Sequence, residues 1–253
     1  MFFKYSMKEL KLLKEFVEPR FNKPIFCTLS GSHLFGFPSK DSDFDIRGAH
    51  IIKTKEMFHF SKPIDTIEIT EKVDEKTVDL VSHEIEKFLG LLLSVNGNAL
   101  EQVLSPLVIT TSPEHEELKL LSKNAICKKL YHHYKGMAYQ NYSRYIQEGI
   151  VTVKKYLYVI RALMAGIYVL QEGTIEPNIT KLNKKLKFSE IDELIKKKKE
   201  EKIQMKRDEK LESLIKSLFE QIEYTHKTSN LPDDVQNAEL FDEFLFKLRM
   251  KNI

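Results

Sequence analysis

Two acidic residues spaced two positions apart, Asp43 and Asp45, are the side chains of this sequence best suited to chemistry. They follow a glycine–serine pair, Gly31 and Ser32, which ends a short apolar run over residues 24–29. Alternate side chains of a β-strand share a face, so Asp43 and Asp45 are expected to point the same way. Two carboxylates this close repel each other, and a hard cation such as Mg²⁺ relieves the repulsion. The spacing therefore predicts a divalent metal site on a strand.

The glycine–serine pair predicts a phosphate-binding turn in front of that strand. Gly31 can adopt backbone angles closed to other residues and lets a ligand approach the main chain. Ser32 can cap or open a helix over residues 33–37, and the N–H groups at a helix start attract phosphate. The next residue, His33, is either a further phosphate contact or polar surface. Turn and carboxylates together predict a nucleoside triphosphate bound as its metal complex.

A third carboxylate, Asp79, is expected to complete the metal site. It is a lone acid inside an apolar, β-prone run, where a charge is unexpected unless it has a function. If its strand lies beside that of Asp43 and Asp45, three carboxylates converge, as in a two-metal site. Glu68 or Glu84 would replace Asp79 under a different strand register.

Two further charged residues flank the pair. Asp41 shares the parity of Asp43 and Asp45, but its lysine and serine neighbours are typical of a turn. Arg47 lies two residues past Asp45 and either pairs with the carboxylates or reaches the substrate.

The motif of Gly31, Ser32 and Gly36, followed by Ser-Asp-Phe-Asp-Ile-Arg-Gly over residues 42–48, resembles the DNA polymerase β-type nucleotidyltransferase superfamily. It is most similar to the nucleotidyltransferases of RNA-repair operons, and weaker similarity continues to the helix that ends near Leu170. The resemblance implies an α+β fold: a polymerase β-like nucleotidyltransferase domain with a small mixed sheet, followed by an all-helical C-terminal domain.

The resemblance also implies a reaction, in which an acceptor hydroxyl attacks a nucleoside triphosphate and pyrophosphate leaves. Asp43 and Asp45 would hold Mg²⁺ or Mn²⁺, and Asp79 would bind the second ion and orient or deprotonate the acceptor. Gly31 and Ser32 would hold the β- and γ-phosphates. The expected partners are a nucleoside triphosphate and an RNA end. Two alternatives are nucleotidylation of a protein or small-molecule hydroxyl, and an antitoxin-like nucleotide-binding regulator whose catalysis has lapsed.

A predicted helix over residues 152–171 carries Lys154, Tyr158 and Arg161 at positions i, i+4 and i+7, on one face. The resemblance implies that this face flanks the nucleotide cleft, with basic side chains near the triphosphate and an aromatic ring near the base. A solvent-exposed stripe opposite the core face is the alternative.

The segment over residues 139–145 alternates tyrosines with polar residues and includes Arg144. Such a segment can stack bases and hold single-stranded nucleic acid. Tyrosines packed between helices are the alternative interpretation.

The residue patterns predict two domains, a sheet-containing domain over residues 1–112 and a helical domain over residues 113–253. Asn96-Gly97-Asn98 is expected to close a helix, with Gly97 as a left-handed cap. Strands are predicted over 24–29, from Asp43 to Ile52, over 66–70 and 78–82, and near 106–110. Helices are predicted over 6–18, from about 83 to 95, and over 99–104, 113–121, 123–147, 152–171, 189–204, 208–226 and 233–250.

Composition predicts a globular protein with an ample core, since 42% of the 253 residues are hydrophobic and 30% are charged. The net charge of +3 neither requires a nucleic-acid surface nor excludes a local patch. The two cysteines have no metal-binding or redox spacing. No apolar run reaches transmembrane length and no signal-peptide pattern is present, so we expect a cytoplasmic protein without a membrane partner.

Overall fold

The computed structural model describes residues 7–21, 24–61, 63–147, 150–200 and 205–253. Two predicted helices extend beyond these ranges. Residue 6 of the helix predicted over 6–18 and residues 201–204 of the helix predicted over 189–204 lie outside the described residues.

A five-stranded mixed sheet forms the N-terminal half of the fold. Its strands follow the spatial order β3-β4-β2-β1-β5, and only β2 and β4 pair in parallel. The order follows from the chain, because a tight turn at Asp74 joins β3 to β4 as an antiparallel hairpin. The strands are β1 (Pro24–Leu29), β2 (Phe44–His50), β3 (Thr66–Val73), β4 (Lys76–Glu84) and β5 (Val108–Thr111).

Alternation along β2 and β4 sorts their side chains between two environments. Phe44 and Ile46 of β2 and Val78 and Leu80 of β4 are buried, and they pack in an apolar cluster with the first helix. The residues between them, which include Asp45, point to the other face. The apolar cluster therefore fixes the face on which the acidic side chains lie.

Eleven helices are present in the described ranges, and most match the predicted ones. The helix over Ile179–Leu186 was not predicted, because eight residues give too short a periodic signal. The helices are α1 (Met7–Val17), α2 (Gly31–Phe35), α3 (Ile85–Leu93), α4 (Gly97–Val103), α5 (Pro113–Ser122), α6 (Leu130–Tyr142), α7 (Val153–Glu172), α8 (Ile179–Leu186), α9 (Ser189–Glu200), α10 (Glu209–Thr228) and α11 (Glu239–Lys251). None of these helices is both long and apolar enough to cross a membrane.

The predicted glycine cap at Gly97 is wrong. Helix α3 already ends at Leu93, and the residue with positive φ is Val95, at 58°. Asn96 instead starts α4, since its side chain accepts a hydrogen bond from the Ala99 N–H. The Asn-Gly pair is thus the start of a helix rather than the end of one.

The apolar core is continuous from the sheet into the helices. One cluster of buried residues extends from Ile25 and Phe26 of β1 to Leu248 of α11. The last helix returns to the sheet, where Arg249 makes two hydrogen bonds, of 2.7 and 2.9 Å, with the buried carboxylate of Glu84. The domain boundary near residue 112 stays a prediction.

Candidate active site

The turn at Gly31 lies directly against Asp45. A Cβ atom at Gly31 would lie 1.8 Å from Asp45 Oδ2, and the φ of Gly31 is +57°. The Ser30 N–H also donates a 2.7 Å hydrogen bond to the Asp45 carbonyl. Only glycine fits this position, for reasons of both space and backbone conformation. Helix α2 then ends at Gly36, whose N–H bonds to the Ser32 carbonyl.

Asp45 and Asp79 are neighbours across the parallel pair β2–β4, where they occupy the same register position. The Arg47 guanidinium lies between them, with Nη2 2.8 Å from Asp79 Oδ2 and 3.6 Å from Asp45 Oδ1. Thr70 of β3 donates a 3.0 Å hydrogen bond to the other Asp79 oxygen. Both carboxylates are about a third exposed, so the pair is open to solvent and to ligands.

The pKa of Asp45 is shifted by burial and by four nearby charged side chains. Burial raises the pKa, and the charges of Asp79 and Asp43 raise it further, while Arg47 and Lys154 lower it. Side chains from β2, β4 and α7 therefore act on one carboxylate. Asp45 is the electrostatic centre of the site.

Asp43 is exposed and immediately precedes β2. The loop that carries Asp43 packs on His33, which is buried. The His33 ring stacks on Phe44, with ring centroids 5.1 Å apart, and hydrogen-bonds to the backbone of Ser42 and Asp43. Burial lowers the pKa of His33 to about 4, so the ring is neutral at pH 7. His33 is not polar surface, because it is buried, and its role as a phosphate contact stays a prediction. It supports the loop that carries Asp43.

The structure brings two of the three predicted carboxylates side by side, not all three into one ligand group. Within the described residues, no group of three or more histidine, cysteine, aspartate or glutamate side chains is placed to hold a metal ion together. The reason is positional: Asp45 and Asp79 are paired strand residues, whereas Asp43 lies before the first residue of β2.

Two of the three predicted residues of α7, Lys154 and Tyr158, are close enough to Asp45 to interact with its charge. Tyr158 packs its ring edge-on against Phe35 and Phe37, with centroids 5.6 Å away in each case. Burial, and then the charge of Asp45, raise the pKa of Tyr158 to about 12. Lys154 is exposed, and its Nζ lies 5.8 Å from the centre of the Tyr158 ring.

The third residue, Arg161, does not reach the cleft. Its side chain is only 2% exposed, and it forms a 2.6 Å ion pair with the equally buried Glu101. The Tyr134 hydroxyl donates to the same Glu101 oxygen, and the guanidinium lies 3.9 Å from the Phe35 ring centre. This burial excludes the alternative of a solvent-exposed stripe for Arg161, and its nucleotide-binding role stays a prediction. Sequence reasoning also missed Glu101, although a lone acid in an apolar helical stretch was a usable signal.

A mixed sheet with acidic residues on its parallel pair, next to a glycine–serine turn, is the arrangement expected of a polymerase β-type nucleotidyltransferase. Comparison with known proteins is more specific. The chain belongs to the RNA repair pathway DNA polymerase beta family, whose model matches residues 7–247.

Related proteins extend the similarity over most of the chain. The uncharacterized protein MJ0002 of Methanocaldococcus jannaschii is 35% identical over 239 residues, which cover 88% of this chain and 96% of that protein. The uncharacterized protein YcgL of Bacillus subtilis is 34% identical over 160 residues, 61% of this chain and 59% of that protein. A crystal structure of a nucleotidyltransferase-like protein from Exiguobacterium sibiricum aligns with a TM-score of 0.34 at 12% identity, over 97% of this chain and 80% of that one.

Proposed function

We propose that this nucleotidyltransferase is metal-dependent and transfers a nucleoside monophosphate from a nucleoside triphosphate to the hydroxyl of an RNA end, releasing pyrophosphate. The observation that carries the proposal is the position of Asp45, in register with Asp79 and in contact range of the Gly31 turn. A carboxylate in this position can share a cation with phosphates held on the turn. The two buried thiols, Cys27 and Cys127, are compatible with the cytoplasmic location that we propose.

The residues present suit a Mg²⁺ or Mn²⁺ ion that takes its remaining ligands from substrate and water. Asp45 and Asp79 supply hard oxygen donors, and the Arg47 guanidinium between them indicates that this place favours positive charge. Asp43, which is exposed and whose charge acts on Asp45, is the third proposed ligand. When bound, the metal would lower the pKa of the acceptor hydroxyl and stabilise negative charge on the phosphates.

The chain's own groups position the substrates. Gly31 and Ser32 hold the β- and γ-phosphates, because their turn lies directly against Asp45 and brings phosphates bound there close to the metal. Lys154 adds a positive charge next to Asp45, and Tyr158 offers an aromatic edge for the nucleoside. Asp79 orients the acceptor hydroxyl and accepts its proton. Positioning and electrostatic stabilisation then account for most of the catalysis.

An RNA end is proposed as the acceptor on the strength of the family's description as an RNA repair family. The acceptor is the part of the proposal that an experiment can separate from the rest. Labelled triphosphates, Mg²⁺ or Mn²⁺ and total RNA or lysate are incubated with the wild-type protein and with Asp45→Asn. Transfer of label to RNA by the wild type alone is the expected result.

Asp41→Asn is the matched control, because Asp41 is an exposed aspartate of the same loop that precedes β2. It should label RNA as the wild type does. Equal labelling by wild type and Asp45→Asn would defeat the catalytic assignment. Labelled protein or labelled small molecules without labelled RNA would defeat the proposed acceptor and leave the transferase chemistry in place.

A further inference from the structure

Three cationic side chains and two tyrosines form a surface at the edge of the site, where a π-helical turn over Ser143–Gln147 follows α6. Arg144 Cζ lies 5.5 Å and Lys155 Nζ 5.1 Å from the centre of the Tyr145 ring. Lys154 Nζ lies 5.8 Å from the centre of the Tyr158 ring. We call Arg144, Tyr145 and Lys155 the Tyr145 surface.

The Tyr145 surface is close to the residues of α7 that interact with Asp45. Tyr145 is close enough to Tyr158 to act on its pKa, and Tyr158 in turn is close enough to feel the charge of Asp45. Lys155, which lies near the Tyr145 ring, is adjacent in α7 to Lys154, which lies near the Tyr158 ring. Turns of π-helix are rare and often occur at functional sites. Here the π-helical turn places Arg144 and Tyr145 near the first turn of α7, which carries Lys155.

Among the residues that the structure describes, no acidic side chain pairs with the cations of this surface. Within the part of the chain that the structure describes, no carboxylate lies within ion-pair distance of Arg144 or Lys155. Arg144 is exposed, and the Lys155 ammonium donates to the Ile150 carbonyl. Two such cations beside a half-buried tyrosine ring can contact phosphates, while the ring can stack on a base.

We propose that the Tyr145 surface binds single-stranded RNA and guides its end toward Asp45 and Asp79. The inference rests on the proposed function, which assigns the triphosphate to Gly31, Ser32 and Lys154. A mononucleotide bound there leaves Arg144 and Lys155 without a phosphate. A strand supplies one phosphate per nucleotide, and a base stacked on Tyr145 fixes its register. The ligand class indicated is therefore a flexible polyanion with exposed bases.

The test is direct binding, measured by fluorescence anisotropy of a labelled single-stranded oligoribonucleotide of about twelve nucleotides. Arg144→Gln/Lys155→Gln should weaken binding about tenfold at physiological salt. It should also lower the slope of log K against log salt by about 1.4, since each phosphate contact on a single strand contributes about 0.7. The measurement needs neither triphosphate nor metal, so it reports RNA binding whether or not nucleotide transfer occurs.

Lys53→Gln/Lys55→Gln is the matched control. Both lysines are exposed and follow the far end of β2, so the variant removes the same charge at a distance from Asp45. It should bind RNA within about twofold of the wild type. An equal loss in this control would show that net charge, not the Tyr145 surface, governs binding, and would overturn the proposal.

Variants of the tyrosine separate stacking from charge. Tyr145→Phe should keep the affinity, whereas Tyr145→Leu should weaken binding about fivefold or more. A labelled duplex RNA of the same length should be less sensitive to Tyr145→Leu, because its bases are already stacked. The proposal fails if the wild type does not bind the single strand, or if neither the charge pair nor the tyrosine alters binding. Loss of RNA labelling in Asp45→Asn without loss of RNA binding would leave the proposal intact.

Discussion

The backbone of Gly31 lies so close to Asp45 that it leaves no room for a side chain. Gly31→Ala tests the importance of this close approach by adding one methyl group. The new Cβ would overlap Asp45 Oδ2, at 1.8 Å, in a backbone conformation of positive φ that alanine rarely adopts. The Asp45 carboxylate or the turn must therefore move. Because a displacement of about 1 Å can cost about a hundredfold in rate, we expect at least that loss in kcat for labelled transfer, with the far-ultraviolet circular dichroism unchanged.

Gly90→Ala is the control for this glycine. Gly90 is an exposed helical residue of α3, and a Cβ there would meet nothing within 4 Å. The substitution should preserve activity and increase the free energy of unfolding by up to about 1 kcal/mol, because alanine favours the helix. Similar activity of the two alanine variants would contradict the role given to the Gly31 turn.

The residues of the site differ in how far sequence could place them. The neighbourhood of Asp45 and Asp79 was predictable, because strand parity and a lone acid in an apolar run both depend on local sequence. The burial of Arg161 was not, because α7 is buried on almost all sides and its sequence therefore has no clear polar face. The role of His33 depended on Phe44, eleven positions away, stacking on its ring.

At the scale of elements, the buried pair of Glu101 and Arg161 joins α4 to α7, and Tyr134 adds α6. Arg161 also lies over Phe35 of α2, so the pair supports the helix that carries Ser32. Removing one partner leaves a buried charge without compensation. We expect Arg161→Met and Glu101→Gln each to lower the free energy of unfolding by about 3–5 kcal/mol, and the double variant to lose less than the sum.

Denaturant unfolding of the four proteins in this double-mutant cycle measures the coupling. Lys247→Met supplies the comparison, because Lys247 and Glu117 form an ion pair whose side chains are largely exposed. That substitution should cost no more than about 1 kcal/mol. Additive losses from Arg161→Met and Glu101→Gln would mean that the two side chains do not depend on each other.

Helices and strands were predictable from the sequence where the pattern of apolar residues was long and the turn or cap residue was adjacent to it. The hairpin β3–β4 and the long helix α7 match their predicted positions, and each has a clear turn or cap: Asp74 for the hairpin and Thr152 for the helix. The expected cap at Gly97 failed because the glycine lies one residue after Asn96, which caps the following helix instead. Local sequence does not decide which of two adjacent helices a capping residue serves.

At the scale of the whole molecule, the last helix makes hydrogen bonds to the sheet and to the segment that follows β2. Arg249 of α11 bonds to Glu84 at the end of β4, and the Thr54 N–H donates to the carbonyl of Asn252, just past α11. The first contact joins residues 165 positions apart, and the second joins residues still farther apart, so no local pattern in the sequence could have predicted them. The same long-range packing brings Lys154 and Tyr158 to Asp45.

A buried histidine, His33, and a half-buried one, His133, make the stability of the whole molecule depend on pH. Burial lowers the pKa of both His33 and His133 from 6.5 to about 4. Between those values the unfolded chain binds protons that the folded chain does not. The free energy of unfolding therefore falls as pH decreases from about 6.5 to about 4, by up to about 1.4 kcal/mol per pH unit for each histidine.

Urea unfolding measured across this pH range tests the prediction. The free energy of unfolding should depend less steeply on pH for His33→Asn/His133→Asn than for the wild type. His59→Asn, a substitution of an exposed histidine, should follow the wild type. An unchanged slope in the double variant would mean that these rings accept protons in the folded protein, contrary to their burial.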